Sequence, residues 1–331
     1  MIKFLRAVLV ALSLVAITVS AGAGSLNAPS RYECVDTVFT MPVGAWFGGF
    51  DILPNGNFAI TDGYSIREIA SSGADVQTLY SYSSMVYGSF VKYNPADGLL
   101  YFGESSYGTI KSVSLSGGAA TDFAAVAFNY DMDFLNGVAY VSGGNRVYRI
   151  DDSTGAADPV AEVGMYSGPL AFDSAGNLIY SPGDDDWQTP RDQSVFSWTA
   201  RQLASAGNGT LLRAADASVL AGNVSPYGFA VDDNGDLLFS EATYPAAIKI
   251  LSGGSVAELT APADLNYGIT YLRYNAANGS LSAAVSWFDE YWTQHTVIST
   301  LVLVPEPCSA LAFCSLIGLA GSTNLLRCRR K

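Results

Sequence analysis

Apolar residues between positions 45 and 303 fall in short runs, many alternating with polar positions, and Gly-containing dipeptides separate them. That is the period of half-buried strands and turns rather than of helices. Six of the dipeptides form a series: Asn55-Gly56, Asp97-Gly98, Asn136-Gly137, Ala175-Gly176, Asn234-Gly235 and Asn278-Gly279, with glycines 42, 39, 39, 59 and 44 residues apart. Asn-Gly and Asp-Gly favour the positive φ of tight hairpins, so each marks two antiparallel strands. A third strand follows about ten residues later, as in Ser65–Ile69, Thr109–Val113, Arg146–Ile150 and Ala247–Ile250, and a fourth as in Val76–Tyr80.

Four strands in roughly 40 residues is the size of a propeller blade. The series therefore predicts an all-β, six-bladed propeller over residues 24–303, with the 59-residue interval carrying an insertion at about 181–208. The last repeat lacks a fourth strand, and Cys34 to Thr40 is a spare strand that could close the ring. The unit Phe50-Asp51, Asn55-Gly56-Asn57, Thr61-Asp62 resembles NHL-type propellers and the gluconolactonase and strictosidine-synthase-like six-bladed group. This resemblance is one of turn chemistry, which speaks to fold and hardly to activity.

Both termini carry targeting patterns. Lys3 and Arg6, the apolar stretch Ala7 to Val19 and the small residues Ala21-Gly22-Ala23 have the layout of a signal peptide over 1–23, with cleavage expected after Ala23. At the other end, Val304-Pro305-Glu306-Pro307 precedes an uncharged stretch, 308–326, long enough to cross a bilayer, and the basic cluster Arg327, Arg329, Arg330 and Lys331. Segment 304–331 resembles the PEP-CTERM sorting signal of bacterial envelope proteins. The resemblance implies handling by signal peptidase and by an exosortase-type transpeptidase, a membrane-anchored precursor, then a cell-surface or extracellular product associated with exopolysaccharide or biofilm.

Charge narrows the partners. Eleven of the 17 basic residues and all 30 acidic ones lie between Gly24 and Pro307, so that stretch carries a formal charge of −19 and excludes nucleic acid as a partner. Cys34 is the one cysteine outside the terminal segments, and His295 is the one histidine. No disulfide framework, multi-histidine zinc centre or Gly-x-Ser-x-Gly nucleophile motif is available.

Three carboxylates, Asp62, Glu104 and Glu241, stand six residues after their turn glycines. Equivalent positions share one face of a propeller, and oxygen ligands of this kind suit Ca²⁺ or another divalent cation. Carboxylates just after a strand also cap their own loops. Asp184-Asp185-Asp186 is a second acidic group, with the character of a solvated loop tip. Trp287, Phe288, Tyr291 and Trp292 form an aromatic cluster that could stack on carbohydrate, although packing is the commoner use of such residues. The resulting expectation is an exported, non-enzymatic propeller of the envelope or matrix with no cofactor. The alternatives are a divalent-metal-dependent, lactonase-like hydrolase and a sugar- or peptide-binding propeller.

Overall fold

The computed structural model describes residues 25–164, 166–183, 193–207, 209–241 and 246–304. They form six antiparallel four-stranded sheets arranged as the blades of one ring. Strand β1 is Tyr32–Val38. The first blade is β2 (Gly49–Ile52), β3 (Phe58–Thr61), β4 (Ser65–Ile69) and β5 (Asp75–Ser81); the second is β6 (Gly88–Asn94), β7 (Leu99–Glu104), β8 (Thr109–Ser114) and β9 (Thr121–Ala125). The third comprises β10 (Asn129–Leu135), β11 (Val138–Gly143), β12 (Arg146–Ile150) and β13 (Ala157–Glu162). The fourth comprises β14 (Leu170–Phe172), β15 (Leu178–Tyr180), β16 (Gln193–Trp198) and β17 (Ser218–Val224). The fifth is β18 (Pro226–Val231), β19 (Leu237–Glu241), β20 (Ala247–Ser252) and β21 (Ser255–Thr260). The sixth takes β22 (Gly268–Asn275), β23 (Ser280–Phe288) and β24 (Gln294–Leu303) from the C-terminal side and β1 from the N-terminal side.

The predicted turns explain why the chain folds in this way. All six turn glycines have positive φ, between 68° and 83°, and Asn136 joins Gly137 in the left-handed region. Ring closure also follows the sequence: β1 pairs antiparallel with β24 from Tyr32↔Leu303 to Val38↔Val297. Asp36 reinforces the closure by accepting from the Ser25 amide at 2.8 Å and from Ser299 Oγ at 2.7 Å.

The extra length of the fourth blade is divided rather than continuous. Residues 193–198 within the expected insertion are the blade's third strand, and helix α1 (Ala200–Ser205), capped by Thr199, lies between β16 and β17. The residues 184–192, including the three aspartates, lie outside the described set, as do the expected signal peptide and the sorting segment beyond Val304. Among the described residues no helix is long and apolar enough to cross a membrane.

The core sits between blades. Leu53, Ala59, Ile66 and Leu79 of the first blade pack on Val91, Leu100, Phe102 and Val113 of the second. Phe50, Phe58, Ile60 and Ile69 likewise meet Ala284 and Ile298 of the sixth. Burying each of the larger side chains contributes about 1.5–3 kcal/mol, so the ring is held by its inter-blade seams. The first strands of successive blades neighbour one another around the central axis. Each runs from an upper face, where connections enter the blade and where second and third strands are joined, to a lower face carrying the hairpin turns.

Candidate functional site

Four of the six inner strands lose register near the upper face. The shifts fall between Gly88 and Val91, Asn129 and Asp131, Pro226 and Gly228, and Thr270 and Leu272. Such bulges re-aim the extra residue, and in three of the strands that residue is a tyrosine: Tyr130, Tyr227 and Tyr271. Tyr271 is held at φ 42°, a left-handed value that a bulky residue adopts only where its surroundings impose it. The tyrosines are tied across blades: Tyr130 Oη donates to the Tyr227 carbonyl at 2.9 Å, and Tyr271 Oη to the Ser89 carbonyl at 3.1 Å. Burial pushes the phenols of Tyr130 and Tyr271 above their ordinary value, so both stay neutral hydrogen-bonding groups.

Above this throat lies a cavity of about 570 Å³ lined by Phe128, Asn129, Tyr130, Asn145, Tyr166 and Tyr227, with hydroxyls from Ser105 and Ser167 and backbone from several glycines. Its volume is within the range of about 300–1,000 Å³ usual for small-molecule sites. No Asp, Glu, Lys, Arg, His or Cys is among the described lining residues. Asn129 is buried in the wall; its amide donates to the Val126 carbonyl at 3.1 Å, and its Oδ1 accepts from Ser89 Oγ.

Deeper along the same strands an ionic plug crosses the axis. Arg273, 5% exposed, lies 3.1 Å from Asp51 Oδ1 through Nε and 3.8 Å from Asp131 Oδ1 through Nη2. Its Nη1 donates to the Leu272 carbonyl at 2.8 Å. Lys92 pairs with Asp133 at 3.0 Å. The carboxylates also bind neighbouring backbones: Asp51 accepts from the Tyr93 amide, Asp131 from that of Leu170 and Asp133 from that of Phe172. Burial raises the Asp131 carboxyl above its usual range, while Arg273 and then Lys92 oppose the rise. Sequence reading missed both layers. The available signals were a tyrosine seven or eight residues before three turn glycines, and the matching triplets Lys92-Tyr93-Asn94 and Arg273-Tyr274-Asn275.

The three sequence-selected carboxylates are all buried at the upper ends of second strands; Asp62 and Glu241 each pair with a cation on the third strand of their own blade, whereas Lys111 on the third strand beside Glu104 pairs with Asp122. Asp62 accepts from the Tyr64 and Ser65 amides at 2.9 and 2.8 Å and lies 2.8 Å from Arg67 Nε. Glu241 lies 2.6 Å from Lys249 Nζ. Burial raises the Glu104 carboxyl, and the charge of Lys111 partly offsets this. Among the described residues no three His, Cys, Asp or Glu side chains gather as a metal-ligand set. Within the aromatic cluster, Trp287 is packed between Tyr267 and His295, with ring centroids 4.7 and 5.5 Å away, whereas Phe288, Tyr291 and Trp292 are exposed. His295 Nε2 meets Asp289 Oδ2 at 3.0 Å.

No protein-family model matches the chain, and no curated protein sequence matches it. Solved structures do. Virginiamycin B lyase from Staphylococcus aureus is similar over 82% of this chain and 100% of its own, with a TM-score of 0.56 and 14% identity. The PQQ domain of a pyranose dehydrogenase from Coprinopsis cinerea matches over 85% and 98%, at TM-score 0.58 and 8% identity. An auxiliary nutrient binding protein from Bacteroides thetaiotaomicron matches over 81% and 76%, at TM-score 0.56 and 12% identity. The likeness is one of fold. At these identities it carries no activity across, and the similar structures themselves include lyase, dehydrogenase and binding proteins.

Proposed function

We propose that this chain is an exported, non-catalytic binding propeller of the cell envelope or extracellular matrix, whose upper-face cavity holds a neutral, hydroxyl-rich ligand such as a sugar unit of an exopolysaccharide. The observation that carries the reading is the cavity wall: aromatic rings, side-chain amides, hydroxyls and backbone groups, with no ionisable acid or base other than the tyrosines among its described residues. Such a wall can stack and hydrogen-bond, but it offers no activated nucleophile and no general base near neutral pH. A metal-dependent lactonase would instead need carboxylates converging on one ion, whereas Asp62 and Glu241 each engage a cation within their own blade. Export and exosortase-type sorting enter the proposal from the sequence of 1–23 and 304–331.

Calorimetry of the exported protein against neutral mono- and disaccharides tests the binding claim. Binding should be saturable and should weaken in Tyr166→Ala and Asn145→Ala, whose side chains line the cavity. Absence of any binding at millimolar sugar, or binding indifferent to both substitutions, would contradict the reading.

A further inference from the structure

The exposed aromatic residues are not spread over the molecule. Among the described residues nine Phe, Tyr or Trp side chains are exposed: Trp46, Tyr64, Tyr87, Tyr107, Phe128, Tyr166, Phe288, Tyr291 and Trp292. By strand order all nine lie in, or at the edge of, connections of the upper face, either between blades or between the second and third strands of one blade. None lies at a hairpin turn of the lower face. An exposed apolar patch confined to one face marks an interaction site.

Over the sixth, first and second blades the rings are contiguous. Tyr87 lies 6.3 Å from Trp46 in an edge contact, Trp46 lies 6.3 Å from Phe288, and Phe288 lies 6.3 Å from Trp292. The platform is held in place before any ligand arrives. Asp289 Oδ1 accepts from the Tyr291 and Thr293 amides at 2.9 Å each, and this turn presents Trp292 at φ 60°, 83% exposed. The Phe47 amide donates to Gln294 Oε1 at 3.1 Å, joining the Trp46 loop to β24. Phe128, at the cavity's edge, is likewise held at φ 54° and is 69% exposed. Left-handed backbone at a bulky, solvent-facing ring is strain that packing does not require.

Charge selects the occupant. None of the described residues in the twelve upper-face connections is Lys or Arg, while Asp264, Asp289 and Glu290 lie there. The cations at the upper ends of the third strands, Arg67, Lys111, Arg146 and Lys249, are each paired with a carboxylate. Uronic acid polymers, sulfated glycans and anionic lipid surfaces need cations at their contact and would meet carboxylates instead. A neutral glycan requires none, because the C–H face of a pyranose covers an aromatic ring while its hydroxyls reach the neighbouring amides and hydroxyls.

We infer that the upper face is a polymer site: a neutral polysaccharide chain lies across the Tyr87–Trp46–Phe288–Trp292 platform and places one unit in the central cavity. The inference rests on the binding role proposed above, and it adds that affinity grows with chain length because several rings are engaged together. Affinity electrophoresis of the exported protein through gels containing neutral glucan, mannan or galactan, with alginate as the anionic control, tests it alongside calorimetry with an oligosaccharide ladder. At least one neutral polymer should retard the protein and alginate should not. The Trp46→Ala/Trp292→Ala variant should bind the long oligomers about tenfold more weakly or worse, yet bind a disaccharide as wild type does. Trp292→Ala alone, at a solvent-facing ring, should lose part of the retardation with no change in thermal midpoint, which separates binding from folding.

Equal affinity for disaccharide and long oligomer would overturn the platform while leaving the cavity reading intact. Loss of all sugar binding from the wild type would overturn both. Concentration-dependent dimerisation removed by the double substitution, without polymer binding, would assign the face to a second copy of the chain and also overturn the proposal.

Discussion

Replacing Arg273 with Met tests the ionic plug. The substitution keeps most of the apolar stem but removes the cation lying between Asp51 and Asp131, both buried on inner strands, those of the first and third blades. Breaking a buried pair by deleting one partner costs about 3–5 kcal/mol, because the other charge is left uncompensated. Here two carboxylates lose a shared partner, although each keeps a backbone amide, to Tyr93 and to Leu170. The loss should appear as a lower thermal midpoint, roughly 2–4 °C for each kcal/mol in a domain of this size class.

The pH dependence gives the discriminating result. Burial raises the native pKa of Asp131 above its unfolded value, and Arg273 opposes that rise. A carboxyl with a raised native pKa binds its proton more tightly when folded, so its contribution to stability falls as pH rises through the interval between the two values. Removing Arg273 widens the interval. The variant's deficit should therefore be greatest at about pH 8 and shrink toward pH 5, as Asp131 takes up a proton and stays neutral. Urea unfolding at both pH values measures it. A deficit below about 1 kcal/mol, or one of equal size at the two pH values, would refute the plug as described.

Three further outcomes follow from the same geometry. Burial pushes the Cys34 thiol up to about 11, so disulfide reagents at pH 8 should label native protein slowly and urea-unfolded protein at the rate of a free thiol. Because Asp62 and Glu241 are engaged by cations on their own blades and Glu104 faces the charge of Lys111, millimolar Ca²⁺ should leave the thermal midpoint unchanged; a rise of several degrees removed by Glu104→Ala would mean that a cation binds there. Replacing Pro305, Glu306 and Pro307 with alanine should leave an uncleaved, membrane-retained precursor, as fractionation and blotting would report, whereas normal release of that variant would remove the sorting motif from the account.

The blades were legible because their turns are local. Positive φ at six recurrent glycines and alternation in the third strands require no knowledge of distant residues. The closing strand was visible as the run Cys34 to Thr40 left over after the blades were counted, although it begins and ends two residues earlier, at Tyr32–Val38. The site was not legible in the same way. The throat depends on bulges that turn Tyr130, Tyr227 and Tyr271 toward the axis, and a bulge is a property of a strand pair rather than of a residue. The plug joins Asp51, Asp131 and Arg273 from three blades, with up to 222 positions between them. Conversely, Asp62, Glu104 and Glu241 were prominent in sequence because they repeat, yet repetition around a ring sets each beside a cation of its own blade, paired with Asp62 and Glu241 and felt by Glu104 as the charge of Lys111, before it brings them to each other. Among the aromatic residues chosen from sequence, Trp287 proved to be packing, while Phe288, the last residue of β23 and on its opposite face, and Tyr291 and Trp292 in the turn beyond are exposed.

Hydrogen exchange of the protein with and without a retarding neutral oligosaccharide tests the binding face most directly. Protection should be confined to the upper-face segments 41–48, 82–87, 105–108, 126–130, 144–145, 166–169, 226–227 and 288–293, which carry the platform and the cavity wall. The hairpin turns at Gly56, Gly98, Gly137, Gly235 and Gly279, on the lower face, should exchange as in the free protein. Protection at those turns, or none in the upper loops under saturating ligand, would contradict the account.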